Sequence, residues 1–135
     1  EAEPIFGEQR TSISTALLAA KDYILNNNIS SHRQVIDVSG DGANNAGRLV
    51  EPVRDEVVKA GITINGLPVI NEDPKKNAAP PDLDTYYRDN VIGGPGSFYV
   101  TTRNVEGFKE SLLKKLVLEI AGPDYREPAT TAAER

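Results

Sequence analysis

The chain reads as an α/β domain built on a mostly parallel sheet with helices on both faces, and three observations predict it. Segments with apolar residues at helical spacing alternate with short β-branched runs in the order helix, strand, helix, strand, helix, strand, helix. That alternation joins parallel strands through right-handed crossovers. The run Gln34 to Val38 breaks abruptly into Ser39-Gly40-Asp41-Gly42-Ala43-Asn44-Asn45, so a buried strand becomes a loop dense in side-chain oxygens. The carboxyl end of a strand is where open α/β sheets bind ligands. At 135 residues the chain has the length of one domain, enough for one core and too little for two.

Each element follows from its own stretch. Glu1 to Arg10 shows no periodicity and reads as an N-terminal arm. Thr11 or Ser12 caps a helix in which Ile13, Ala16, Leu17, Ala20 and Ile24 share a face, and Asn26-Asn27-Asn28 ends it. After the strand at Gln34 to Val38, Pro52 fits the first turn of a second helix with Val53, Val57 and Ala60 on one side and Gly61 as its stop. Ile62 to Leu67 is the second strand. Val69 to Pro81, with three prolines and two adjacent lysines, is a surface loop. Asp82 caps a short helical turn carrying Leu83, Tyr86, Tyr87 and Val91, which breaks at Gly93-Gly94-Pro95-Gly96. Ser97 to Thr101 is the third strand, rich in aromatic and β-branched residues. Asn104 caps the longest helix, whose stripe Val105, Phe108, Leu112, Leu116 and Ile120 is expected to be buried. Gly122-Pro123 stops that helix, and residues 123–135 read as a disordered tail, leaving 11–122 as the domain.

Three parallel strands are few for a sheet covered on both faces, and the apolar strand Gln34 to Val38 suits a central position better than an edge. Further strands are therefore expected from a missing N-terminal segment, a second polypeptide or a symmetry-related copy.

Composition removes several function classes. The formal net charge is -5, and no basic stripe is present to neutralise phosphates, so nucleic acid is not an expected partner. No apolar run approaches the roughly 18–20 residues that span a bilayer, and a soluble protein is expected. With no cysteine, disulfides, thiolate nucleophiles and zinc–thiolate sites are all excluded; a single histidine, His32, argues against His-rich metal sites and His-based triads.

Thr11-Ser12-Ile13-Ser14, then Val35-Ile36-Asp37-Val38-Ser39-Gly40-Asp41-Gly42 with Asn44-Asn45, then Gly61-Ile62-Thr63-Ile64-Asn65-Gly66-Leu67-Pro68, resembles the C-terminal half of a von Willebrand factor A-type domain. Together with Tyr86-Tyr87-Arg88-Asp89, Val91-Ile92-Gly93-Gly94-Pro95-Gly96 and Lys115-Leu116-Val117-Leu118-Glu119-Ile120-Ala121-Gly122, these blocks resemble a bacterial family of exported A-type domains with no assigned function. The likeness spans about Arg10 to Gly122. It implies a Rossmann-like three-layer sandwich, present here as a C-terminal portion with about three strands and four helices, in a periplasmic or secreted protein.

Such domains carry a metal-ion-dependent adhesion site in which an Asp-x-Ser-x-Ser loop, a threonine and a third-loop aspartate bind one Mg²⁺. A hard cation taking oxygen ligands in octahedral geometry leaves a position for a partner's carboxylate. By the resemblance, Thr11 matches the threonine and Asp41 the aspartate, with Asp37, Ser39 and Asn45 as supporting residues. The Asp-x-Ser-x-Ser loop has no counterpart: Asp37-Val38-Ser39-Gly40-Asp41 imitates it but ends in aspartate where serine is required. Two ligands are too few for a strongly hydrated cation, so this chain alone should bind Mg²⁺ or another divalent cation weakly.

Plainer roles stand beside these. Asp41-Gly42 also suits a turn, and Thr11 is a helix cap in either case. Asp37, inside a strand, reads as a buried, hydrogen-bonded structural carboxylate, and His32 as exposed. Gly93 to Gly96 lacks the following helix N-terminus and lysine of a phosphate loop and reads as a turn. Tyr86, Tyr87 and Tyr99 read as packing residues. Three functional classes result. The favoured one is a non-enzymatic binding or adhesion module that recruits an acidic ligand or a protein partner through a shared metal. The second is an assembly fragment whose edge at residues 34–38 self-associates or accepts a complementing segment. The third is an aspartate-nucleophile phosphatase, in which Ser39 would occupy the place of the acid–base aspartate.

Overall fold

Helix α1 (Ile13–Asn26) forms where the apolar spacing predicts it. Ile13 and Leu17 are buried, Ala20 and Ile24 pack partly against the core, and Ala16 faces solvent. Ser12 rather than Thr11 caps the helix, its hydroxyl accepting the Thr15 N–H at 3.2 Å. That corrects the capping role expected of Thr11, whose own N–H goes elsewhere. Asn27 ends the helix and Asn28 adopts φ 57°, a left-handed conformation that asparagine tolerates. The computed structural model describes residues 10–70, 82–103 and 105–121. The N-terminal arm before Arg10, most of the loop 69–81, the Asn104 cap, the Gly122-Pro123 stop and the tail lie outside them.

Strand β1 (Gln34–Gly40) pairs in parallel with β2 (Ile62–Pro68), in register from Gln34 opposite Ile62 to Gly40 opposite Pro68. Between them runs α2 (Val50–Lys59), with Pro52 in its first turn and Val50, Val53 and Val57 buried. Ala60, expected on the buried side, is exposed at the C-cap, and Gly61 ends the helix at φ 88°.

Strand periodicity assigns the two faces of the sheet. Ile36, Ile62 and Ile64 join Ile13, Leu17, Val50, Val53, Val57, Leu83, Tyr87 and Val91 in one apolar cluster, so α1, α2 and the 83–91 segment cover that face. The opposite face presents Val35, Asp37, Thr63, Asn65 and Leu67, of which Thr63, Asn65 and Leu67 are buried. Every residue of β2 is buried, the signature of a central strand.

The predicted third strand lies beside β2 without forming a continuous ladder. Gly66 N–H donates to Phe98 C=O and Val100 N–H to Gly66 C=O, each at 3.0 Å; Thr102 N–H reaches Pro68 C=O at 3.0 Å and Ile70 N–H reaches Thr102 C=O at 2.7 Å. These make parallel bridges at Gly66–Tyr99 and Val69–Thr102. The β2 residue between them facing this stretch is Pro68, which has no N–H to donate, so the pairing is interrupted there. Among the described residues the sheet proper has two strands.

Helix α3 (Leu83–Tyr86) continues into a π-helical turn, Tyr87–Val91, closed by Ile92 N–H to Tyr87 C=O at 3.0 Å. Asp82 starts the segment through its carbonyl, which accepts Tyr86 N–H at 2.8 Å, and makes no side-chain cap.

Helix α4 (Val105–Ala121) has the predicted span and the opposite orientation. Phe108, Leu112 and Leu116 are 37–41% exposed and Ile120 is 85% exposed, whereas Lys115 is buried and ion-paired with Asp37. The Val105 side chain is outside the described ones. The expected buried stripe is therefore corrected, and so is Asp37: the carboxylate is half-exposed and its cationic partner is the buried group. The reason lies in the surface the helix meets. Asp37, Thr63 and Asn65 put polar groups between Val35 and Leu67 on that sheet face, and the Asp37 carboxylate there receives an ammonium group rather than a leucine stripe. No helix among the described residues is long and apolar enough to cross a membrane.

Candidate functional site

The loop after β1 is held from both sides by residues distant in sequence. Thr11 donates its N–H to the Asn45 side-chain oxygen at 2.7 Å and accepts the Asn45 N–H on its carbonyl at 2.9 Å, a two-bond clamp across 34 positions. Next to it, the Asn44 side-chain oxygen accepts Ser14 N–H at 3.1 Å and satisfies one of the N–H groups that the first turn of α1 leaves open. The Asn44 side-chain amide donates to Arg48 C=O at 3.0 Å, and its backbone N–H donates to the Tyr86 hydroxyl at 3.1 Å. Asn44 thus ties α1, the entry to α2 and the 83–91 segment to one loop.

The clamp brings Thr11 against the glycine that follows the loop's acidic residue. A Cβ built at Gly42 would stand 3.4 Å from the Thr11 hydroxyl oxygen, so Gly42, adjacent to exposed Asp41, lies against that hydroxyl. Thr11, Asp41 and Asn45 are gathered at the carboxyl end of the sheet. Asp37 and Ser39 are not with them. By strand alternation they leave the opposite face, where Asp37 binds Lys115.

Tyr87 forms the floor of the site. Its ring crosses β2 where a Cβ at Gly66 would fall 2.7 Å from ring carbon Cδ1, and its hydroxyl sits 2.8 Å from the position a Cβ would take at Gly40. Glycine at both places makes this passage possible. The residue is fully buried, and its hydroxyl has no hydrogen-bond partner among the described residues. Burial pushes the phenol up to about 12, with Tyr86 and the Asp41 charge adding to the shift. Tyr86, edge-to-face with Tyr87 at 6.4 Å between ring centroids, is also raised by burial; the Asn44 N–H works against that shift and Glu51 with it.

Chemically, the site offers a hydroxyl and a carboxylate, both hard oxygen donors of the kind Mg²⁺ or Ca²⁺ takes. Two donors are short of an octahedral set, and among the described residues no group of three or more His, Cys, Asp or Glu side chains could hold a metal. The fit is thus partial: the donor chemistry suits a hard cation and the donor number falls short. At the far end of the strands, His32, exposed as expected, lines an open cleft with Arg33, Gln34, Gly61, Thr63, Pro95 and Gly96. The Gly93–Gly96 segment there is a turn, with Ser97 N–H on Gly94 C=O at 3.2 Å and the Thr63 hydroxyl on Pro95 C=O at 3.1 Å.

Asn44 belongs to the loop that the sequence marks as the site, but Tyr86 and Tyr87 were legible only as packing residues. The available signals were the asparagine pair after Asp41-Gly42 and the adjacent tyrosines, but the contacts joining them span 42 positions. A family model described as "Protein of unknown function (DUF1194)" matches residues 1–124. No curated protein and no solved structure matches the chain.

Proposed function

From the premise that the chain belongs to the DUF1194 family of proteins of unknown function, we propose that it is a non-enzymatic binding module of von Willebrand factor A-like architecture. In this reading it engages an acidic ligand or protein partner through a divalent cation at the carboxyl end of β1. The observation that carries it is the Thr11–Asn45 clamp, which sets a threonine hydroxyl against the Asp41-Gly42 turn from 30 residues away. A loop needed only to turn the chain into α2 requires no such partner. Thr11 and Asp41 would hold the cation, which when bound would offer an open coordination position to a partner's carboxylate. Asn45 and Asn44 keep the two donors together. The parallel β1–β2 pair with its α2 crossover supports the architecture, and the resemblance to exported domains supports a periplasmic or secreted location.

Mg²⁺ titration by calorimetry tests this reading. The chain is expected to bind weakly, with a dissociation constant on the order of 1 mM because much of the donor set is absent, and Asp41→Ala should abolish the binding. Equal binding by the variant would sink the assignment.

A second reading, an assembly fragment, has its own support. Val69 N–H donates to Gly40 C=O, so alternation turns the N–H and C=O groups of Gln34, Ile36, Val38 and Gly40 toward β2 and those of Val35, Asp37 and Ser39 to the outer edge. Among the described residues no strand pairs there, and α4 carries an exposed apolar stripe. Both features fit a complementing strand or a second copy. Light scattering that showed a monomer at every concentration would count against it.

A further inference from the structure

The outer edge of β1 turns the N–H and C=O groups of Val35, Asp37 and Ser39 away from β2, and among the described residues no strand receives them. Exposed edges are normally blunted by a proline, a lysine, a bulge or a charge in mid-strand. From Gln34 to Gly40 there is no proline and no lysine, and the register with β2 runs without a bulge. A mid-strand charge is present in Asp37, but the Lys115 ammonium is ion-paired with it and offsets it. The edge is therefore open to another strand.

The residues along the edge select which strand fits. Asp37 is the middle of the seven-residue strand, so an antiparallel copy with Asp37 opposite Asp37 overlaps the whole of Gln34–Gly40. The parity agrees: this alignment sets Val35 opposite Ser39 and Asp37 opposite its copy, all of them residues with outward backbone groups, as hydrogen-bonded pairs. On the apolar face it sets Ile36 of the core cluster against Val38, which packs on that cluster. At the two ends it sets exposed Arg33, one residue before β1, opposite exposed Asp41, one residue after it. Sliding by one residue turns the apolar set to the other face. Sliding by two sets Arg33 opposite Ser39 or Ala43 and shortens the overlap. Two Asp37 carboxylates facing each other repel, and each brings its own Lys115 ammonium to counter that.

We propose that the edge of β1 is a docking surface for a second copy of this chain, joined antiparallel through residues 34–40 about a dyad at Asp37, with Arg33 of each copy paired to Asp41 of the other. This rests on the assembly reading above and names its occupant. The two sheets become one continuous sheet, and the unpaired groups of Val35, Asp37 and Ser39 are satisfied on both copies. The dyad also places both α4 helices, each tied to its own Asp37, on one face of the joined sheet.

Sedimentation of the full chain over a range of concentrations, combined with disulfide trapping, tests this. The chain has no cysteine, so introduced thiols report without background. Wild type should dimerise with a Kd on the order of 100 μM, in keeping with a small edge-to-edge contact. Ser39→Cys mixed with Val35→Cys should give a cross-linked dimer on oxidation, because the Cα atoms of a hydrogen-bonded pair stand about 5.5 Å apart; Ser39→Cys by itself should not. Arg33→Asp and Asp41→Arg, both at exposed positions, should each weaken dimerisation about 10-fold, and combining them should restore it. A monomer at every concentration overturns this inference and the assembly reading together. A dimer that the charge reversals leave unchanged, or that the mixed cysteine variants fail to trap, overturns the dyad at Asp37 and leaves the assembly reading to another surface.

Discussion

At the scale of single residues, the loop after β1 depends on Asn44 more than on the aspartate beside it. Its side chain and backbone make three hydrogen bonds, to Ser14, Arg48 and Tyr86, and truncation leaves the Ser14 N–H and Arg48 carbonyl without them. Asn44→Ala is expected to lower stability by about 1–2 kcal/mol in urea unfolding, in the range of a lost helix cap. Asp41→Ala, at an exposed position, should leave stability nearly unchanged while removing metal binding. Tyr87 supplies a pH test. Its folded value of about 12 lies above the ordinary 10, so its contribution to stability is complete below pH 10 and is lost as pH rises toward 12. Wild type should lose roughly 1.4 kcal/mol per pH unit across that window relative to Tyr87→Phe; parallel stability curves for the two proteins would contradict the assignment. Thr11 and Asp41 could be singled out from sequence because each sits in a recognisable local pattern. Tyr87 could not, and the part Asn44 plays in that loop could not, since both lie in contacts made across the fold.

At the scale of elements, the two helix-to-sheet contacts differ in kind. On the apolar face Tyr87 crosses Gly66 so closely that Gly66→Ala forces ring or strand to move, which should cost about 1–3 kcal/mol. On the other face α4 is joined to β1 through Lys115 and Asp37, one buried and one half-exposed. The two ends of this pair should respond unequally. Asp37→Ala removes the carboxylate from a buried ammonium and is expected to cost on the order of 2–3 kcal/mol, below the range for fully buried pairs because Asp37 retains water. Lys115→Met leaves a carboxylate that solvent can reach and should cost clearly less. The reverse order in thermal or urea unfolding would show that Asp37 is not the main partner of Lys115. Helix α4 also shows where periodicity stops being informative. The 3.6-residue pattern marks a helix with an apolar side, and it contains nothing about the polarity of the sheet face that helix will meet.

At the scale of the whole molecule, a sheet with every β2 residue buried and with the outer edge of β1 unpaired among the described residues is finished on one side only. If that edge is an interface, the amide protons of Val35, Asp37 and Ser39 should exchange faster in hydrogen exchange than those of Ile36 and Val38, and slow when association occurs. Leu112→Gln with Leu116→Gln should weaken association and alter monomer stability by no more than about 0.5 kcal/mol per site, as expected for exposed positions. By itself the sequence determined the order of elements, the near-exact ends of α4 and the place of the loop with Asp41, whereas it put the central position at Gln34 to Val38 and the structure shows the fully buried strand to be β2. The features it determined follow from periodicity, turn residues and caps, which are local properties of the chain. Tertiary structure alone decided that Asp37 and Ser39 leave the face opposite the site, that Lys115 and not the leucine stripe turns inward, and that Pro68 interrupts the third strand. Each of those outcomes depends on register and on which surface meets which across the sheet, and such pairings are made only when distant segments come together.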